Sequence, residues 1–258
     1  MNEGTVTFVQ NGLIGHILFD RPQARNAMTW KMYDELSQAC DTVIATPDLR
    51  VLTLRGAGGK AFVAGTDISQ FREFSDGEDG IEYEKKMEDY FGLLLSVPIP
   101  TVAIIEGWAV GGGLAIATAC DIRIATPDAE FGVPIARTIG NCLSMENLSR
   151  LVNAFGVSQV KKMLLLSETL TAEEAETAGF LCEIVPADNI GDRAAEICAR
   201  LIENAPITLR TMKQALGRLT ESTLPNGDDL IRECYGSEDF KTGVEGFFAK
   251  KAPVWAGK

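Results

Sequence analysis

Basic side chains are scarce in this chain and histidine is nearly absent: 24 Lys and Arg stand against 36 Asp and Glu, and His16 is the one imidazole. A net charge of −12 works against nucleic acid and anionic membrane surfaces as general partners, because both reward clustered cations. Six cysteines, Cys40, Cys120, Cys142, Cys182, Cys198 and Cys234, are scattered without a CxxC pair. With one histidine they cannot complete a Cys/His zinc set, so neither a metal site nor a disulfide framework is signalled, and a reducing cytoplasm is expected. No basic segment with an apolar run opens the sequence, and every apolar stretch is broken well short of a membrane span. Nucleotide fingerprints are missing too. Leu54 and Ala61 occupy the positions that a Walker loop around Gly59-Lys60 needs for Gly and Ser or Thr, and Ile116 stands where GxGxxG needs a small residue.

What is present is a chain of 258 residues, 46% hydrophobic, able to bury a substantial core. Its central stretch runs from Ile99 to Ala125. Thr101 to Ile105 is short, apolar and β-branched, which predicts a buried strand. Gly111, Gly112 and Gly113 follow, then the Ala, Leu and Ile of Leu114 to Cys120, which suit a buried helix. First-turn amides of a helix have no partner inside it, and the macrodipole adds positive charge there. Glycines at that point leave two readings open: an anion or oxyanion site made of main-chain N–H, or tight helix packing.

Along the rest of the chain, Thr5–Gln10 and Ile14–Phe19 flank Asn11-Gly12 and predict a hairpin. His16 lies in its second strand and reads as structural. Thr29 caps a helix with Met32, Leu36, Ala39 and Val43 on one face. Before it, Arg21 and Arg25 are either solvated or suited to a phosphate. Val51 to Arg55 predicts a strand and GAGGKAFVAGTDISQF a glycine loop leading into a helix. Ser75 to Gly80 reads as a mobile surface segment, and Ile81 to Leu95 as a helix through Met87, Tyr90, Phe91 and Leu94 that Pro98 stops. Ile122 to Ala125 reads as a strand, FGVP as a turn, and Ser144–Phe155 and Ser158–Leu166 as helices. From Thr171 the pattern becomes almost wholly helical: a TAEE capping box, then Ile190–Glu203, then a helix opening at Pro206. The alternation of strands and helices points to α/β architecture with crossover connections.

RPQARNAM, AFVAGTDI, VGGGLAIATACDIRIA and FGVP, in this order, resemble the crotonase superfamily, the enoyl-CoA hydratase/isomerase group of acyl-CoA enzymes, from about Val6 to Lys258. The resemblance implies a spiral of ββα units over residues 1–200 that binds acyl-CoA, and a C-terminal helical region over 201–258 that builds a trimer or a dimer of trimers. It implies no cofactor beyond coenzyme A as part of the substrate. By motif match, the amides of Thr66 and Gly112 are the oxyanion donors. Ala64, Gly65, Thr66, Asp67 and Ile68 line the CoA together with Gly111, and Arg25 lies near its phosphates. Lys250 and Lys251 resemble basic residues that reach toward CoA, and Phe247, Phe248 and Trp255 offer apolar surface for assembly.

Hydratases of this family carry two glutamates, two places after the GGG and directly after FGxP. Here those positions, both lining the acyl pocket by motif match, are Ala115 and Ile135, and neither side chain accepts a proton. The substitutes nearest in sequence are Glu146, which also reads as a first-turn acid favoured by the helix dipole, and Cys142, which also reads as small packing. Asp121 and Glu130 are close in sequence as well, Asp121 with a structural reading.

Overall fold

The computed structural model describes residues 3–71, 77–138, 141–219, 251, 254 and 256–258. The chain opens with β1 (Thr5–Asn11) and β2 (Ile14–Asp20), an antiparallel hairpin whose Gly12 takes the positive φ of 60° that the turn requires. Next comes α1 (Trp30–Ile44), where the Thr29 hydroxyl accepts the Met32 amide and Met32, Leu36, Ala39 and Val43 are buried as their spacing predicts. Three further turns of the same design follow. They are β3 (Val51–Gly56), β4 (Ala61–Val63) and α2 (Gly77–Ser96); β5 (Thr101–Ile105), β6 (Trp108–Val110) and α3 (Gly112–Ala119); and β7 (Ile122–Ala125), β8 (Glu130–Gly132) and α4 (Ile135–Thr138). The remainder is α5 (Met145–Leu165), β9 (Thr169–Thr171), α6 (Ala172–Thr177), β10 (Glu183–Ile184), α7 (Ile190–Glu203) and α8 (Pro206–Leu219).

From β3 to β8, successive strands alternate between two sheets. The larger has the order β1-β2-β3-β5-β7-β10 and is parallel from β2 onward; the smaller is β4-β6-β8-β9. Both faces of the larger sheet are covered, as a parallel sheet demands. Period-two alternation sends Leu52, Leu54, Ala103 and Ile105 into the main core, and Val51, Val102, Ile104 and Ile124 to the opposite face against Ile190, Ala194 and Cys198 of α7. This is the crotonase-type spiral of ββα units.

Several expectations need correction. GAGGKAFVAGTDISQF is not a loop throughout: it contains β4 and closes in a 3-10 helix over Ile68–Phe71. The residues after Gly107 form β6, which the sequence reading did not include, FGVP begins inside β8, and the tail includes β9 and β10. Each missed strand has two or three residues, too few to show a hydrophobic period. Helix α2 starts at Gly77, inside the segment read as a mobile loop; Ser75 and Asp76 lie outside the described residues. So do Phe247, Phe248, Lys250 and Trp255. Gly156, with φ 73° and ψ 156°, breaks α5 at the junction between the two helices expected there.

Asn26 is fully buried in the RPQARNAM loop and adopts φ 56°. Its Oδ1 accepts the Arg21 amide at 2.9 Å, and its Nδ2 donates to the carbonyls of Ala57 (3.0 Å) and Ala61 (2.8 Å). One carboxamide thereby ties the loop to the turn between β3 and β4. Replacing Asn26 with Ala strands three buried backbone groups, and the expected cost is about 2–4 kcal/mol, read as a lower urea midpoint; an unchanged midpoint would discount this tie.

Candidate active site

Two loops that the spiral brings together form the site. On the first, beyond β4, the Ala64 amide donates to the Arg25 carbonyl at 3.0 Å, the Met28 amide to Gly65 at 2.8 Å, and the Asp67 amide to Met28 at 2.9 Å. These bonds make Thr66 and Met28 an isolated parallel bridge. In such a bridge the flanking residues carry the hydrogen bonds, so the amide of Thr66 itself faces the opposite side.

On the second loop, Gly111 adopts φ 53° and donates to the Gly132 carbonyl at 2.9 Å, and α3 starts at Gly112. A methyl group added to Gly112 would lie 3.7 Å from the Thr66 nitrogen, 3.3 Å from Thr66 Oγ1 and 2.6 Å from the Tyr33 hydroxyl. One added to Gly113 would meet the Val63 carbonyl oxygen at 1.9 Å. The glycine cluster therefore divides its work. Gly113 serves tight packing of α3 on β4, and Gly112 opens the space beside Thr66. Among the described residues, neither the Thr66 nor the Gly112 amide has an acceptor, and Gly112 stands at the N-terminus of α3, where first-turn amides have no partner inside the helix.

The Thr66 side chain is also held. Its Oγ1 bonds the hydroxyls of Tyr33 (2.8 Å) and Tyr83 (3.0 Å). Tyr33, on α1, is fully buried and stacks on Tyr90 with centroids 5.2 Å apart; Tyr83, on α2, packs edge-on against Trp30 and Phe71. Burial pushes the Tyr83 phenol up to about 12 and Tyr33 well above its ordinary value, so both stay protonated and neutral at physiological pH. Sequence reading missed both tyrosines. Tyr33 adjoins the buried stripe of α1, three residues before Leu36, and that is its one local signal; Tyr83 has none.

Arg21 is buried, and its Nη1 donates to the Ala27 carbonyl (3.0 Å) and Asp67 Oδ2 (2.6 Å). It braces the loop and is not presented to a phosphate. Asp67 Oδ1 also accepts the Ser69 hydroxyl (2.7 Å) and amide (3.0 Å). The Ser69 hydroxyl first, and then Arg21, hold the Asp67 carboxyl below its usual range. Arg25 is exposed, with its guanidinium 5.6 Å from the centre of the Trp108 ring. Ala64, Thr66 and Asp67 are half-buried, Gly65 is buried and Ile68 is exposed.

Ala115 is buried within α3, and Ile135, the first residue of α4, packs against the main core. Glu146 and Cys142 are both exposed, Cys142 as a free thiol. Among the described residues, no hydrogen bond or ion pair joins either to the two loops. The carboxylates that hydrogen-bond the start of α5 come instead from α2. Glu84 accepts the Ser144 amide (2.8 Å), and Glu88 accepts the Ser144 hydroxyl (2.5 Å) and both bonds of Arg150 (2.6 and 2.7 Å). Burial first, and then the charge of Glu88, raise Glu84 above the usual carboxylate range. Beside them Asn147 is buried, with an Oδ1 that has no partner among the described residues. Asp121 is spent on Thr101 and Lys213, and Glu130 on Thr169. His16 Nδ1 meets Thr53 Oγ1 at 2.8 Å inside the sheet. These three have structural surroundings. Lys251 is exposed.

A two-sheet ββα spiral with a glycine-opened helix facing a second glycine loop is the architecture of the crotonase superfamily. The description enoyl-CoA hydratase/isomerase matches residues 9–258, and the chain belongs to that family of enzymes. It is 28% identical over 255 residues to the short-chain-enoyl-CoA hydratase of Clostridium acetobutylicum, covering 97% of both chains. It is 30% identical to the human enoyl-CoA hydratase domain-containing protein 2, mitochondrial, covering 95% of this chain and 86% of that one. The crystal structure of an enoyl-CoA hydratase/carnithine racemase from Magnetospirillum magneticum superposes with a TM-score of 0.90 at 30% identity, over 98% of this chain and 96% of that one.

Two outcomes follow from the geometry. Gly112→Ala forces a methyl group onto the Tyr33 hydroxyl and should destabilise the fold by about 1–3 kcal/mol; adding Tyr33→Phe should restore part of that loss in urea titrations, and no restoration would exclude this contact as the cause. Asp67, with its folded pKa depressed, contributes stability above its unfolded value near roughly pH 4, and that stability is lost as pH falls through the folded value. Asp67→Asn should therefore flatten the acid arm of the stability profile; a variant with the same acid arm as the parent would show that this carboxyl does not drive it.

Proposed function

We propose that this chain binds a CoA thioester with its carbonyl oxygen between the amides of Thr66 and Gly112, and that these donors stabilise the enolate formed when charge moves onto that oxygen. The observation that carries the reading is the pair of adjacent amides without acceptors at the mouth of α3. Donors fixed before the reaction need no reorganisation as charge develops, and one of them is worth a factor of about 10²–10³ in rate. In this reading Ala64 to Ile68 with Gly111 line the CoA chain, exposed Arg25 reaches its phosphates, and Ala115 and Ile135 give the acyl pocket apolar walls where proton-transferring acids would otherwise stand. The acyl-CoA is substrate, and no separate cofactor is required. Glu146 and Cys142 are the acid/base candidates from sequence, and half-buried Glu84 joins them.

The reaction is then a family reaction other than two-glutamate hydration, such as isomerisation, decarboxylation or dehalogenation. Apolar Ala115 and Ile135 favour one further reading, an acyl-CoA-binding protein with little turnover. Assembly as a trimer or dimer of trimers is part of the proposal, supported by exposed Met212, Leu216 and Leu219 on α8, as is a cytoplasmic setting. Among the described residues no helix is long and apolar enough to cross a membrane.

Calorimetry with butyryl-CoA and NADH should show binding of the thioester alone; binding of NADH alone would overturn the proposal. Hydration of crotonyl-CoA should be absent or very weak, since each missing acid or base removes a factor of roughly 10²–10⁴. Ala115→Glu with Ile135→Glu should raise it. Ordinary hydratase turnover in the parent chain would show that the acids have been misplaced.

A further inference from the structure

The hydroxyl cluster behind Thr66 has no part in the chemistry described so far. Three O–H groups from three elements meet there: Tyr33 on α1, Thr66 on the loop after β4, and Tyr83 on α2, at 2.8 and 3.0 Å. The Tyr33 oxygen does two things at once. It bonds Thr66 Oγ1, and it sits 2.6 Å from the point where a Gly112 side chain would begin. One phenol, fully buried and fixed by its stack on Tyr90, therefore touches the residues that own both amides.

The Thr66 amide needs such support. It belongs to the peptide after Gly65, a glycine at φ 90°, whose missing Cβ leaves that peptide plane freer to rotate than any other in the loop. The Met28 bridge fixes one side of the plane. Among the described residues, the hydrogen bonds on the opposite side are those of the Thr66 hydroxyl with the two phenols. Because burial keeps both phenols protonated at neutral pH, they act as steady donors or acceptors of hydrogen bonds rather than as bases.

We infer that Tyr33 and Tyr83 are positioning residues: through the Thr66 side chain they aim its amide and set the gap between it and the amide of Gly112, and so tune how strongly the site stabilises an enolate. The inference rests on the oxyanion role proposed above. It assigns to the Thr66 hydroxyl a task that a backbone donor alone does not need, which accounts for a hydroxyl residue at this place in the loop.

The test uses acetoacetyl-CoA, a thioester acidic enough for its enolate to be followed by near-ultraviolet absorbance, and butyryl-CoA, which reports thioester binding without enolisation. The parent chain should lower the pKa of bound acetoacetyl-CoA below that of the free thioester. Thr66→Val, Tyr33→Phe and Tyr83→Phe should each raise the bound value by about one unit, a tenfold loss of enolate stabilisation of the size expected when a donor is slightly misaimed. Butyryl-CoA affinity should stay within about twofold of the parent, because positioning acts on developing charge more than on ground-state binding. Thr66→Ser, which keeps the hydroxyl, should behave as the parent, and Tyr33→Phe added to Thr66→Val should cost nothing further. If Tyr33→Phe fails to fold, Thr66→Val reads the same hydrogen bond from its other end. Parent-like pKa values in Thr66→Val with butyryl-CoA affinity retained would overturn the inference alone. Failure of the parent chain to bind either thioester would overturn the proposed function as well.

Discussion

The close approach of α3 to β4 is the constraint on which the rest depends. A methyl group on Gly113 would lie 1.9 Å from the Val63 carbonyl oxygen, so the helix can lie against that strand only because residue 113 has no side chain. Once α3 is seated there, its first-turn amides emerge beside the loop that leaves β4. The rest of the spiral serves that placement. β6 delivers the chain to Gly111, the Gly111 amide is held by Gly132 at the end of β8, Arg21 fastens the loop carrying Thr66 through Asp67, and Asn26 ties the preceding loop to the start of β4. Two sheets connected strand by strand bring together segments about 45 residues apart in sequence more rigidly than a single hairpin could.

Much of this was legible from sequence where the signal is local. The Asn-Gly hairpin, the Thr29 cap, the TAEE capping box, the buried strands β3, β5 and β7 and the helices α1, α7 and α8 all follow from turn chemistry, capping or a sustained period. The smaller sheet was not. Its strands have three residues each, and such a strand completes barely one alternation, so it looks like the loop or turn around it. Arg21 shows a different limit: composition cannot tell a solvated guanidinium from one committed to a carboxylate 46 residues away. The motifs located both glycine loops, yet the split of labour between Gly112 and Gly113 needed coordinates, because it depends on which atom lies across from each missing Cβ.

The Tyr33–Thr66–Tyr83 cluster was invisible for the same reason in a stronger form. Its members lie 33 and 17 residues apart, and each residue by itself has an ordinary reading as core aromatic or loop threonine. Buried hydroxyls are costly unless they are bonded, so three that converge on one point mark a place where the fold has accepted polar groups for a purpose other than packing.

The charges around the site fit that picture. Asp67 is bound by Ser69 and Arg21, Glu88 by Arg150 and Ser144, Asp121 by Thr101 and Lys213, and Glu130 by Thr169. The two positions that the sequence resemblance assigns to the family's catalytic acids hold Ala115, buried among Leu114, Ile116 and Ala117, and Ile135. Asp67, Glu88, Asp121 and Glu130 are thus engaged, while half-buried Glu84, raised by burial, accepts the Ser144 amide. On the proposed oxyanion reading, stabilisation of negative charge rests on main-chain N–H groups, and proton transfer falls to residues other than those at positions 115 and 135.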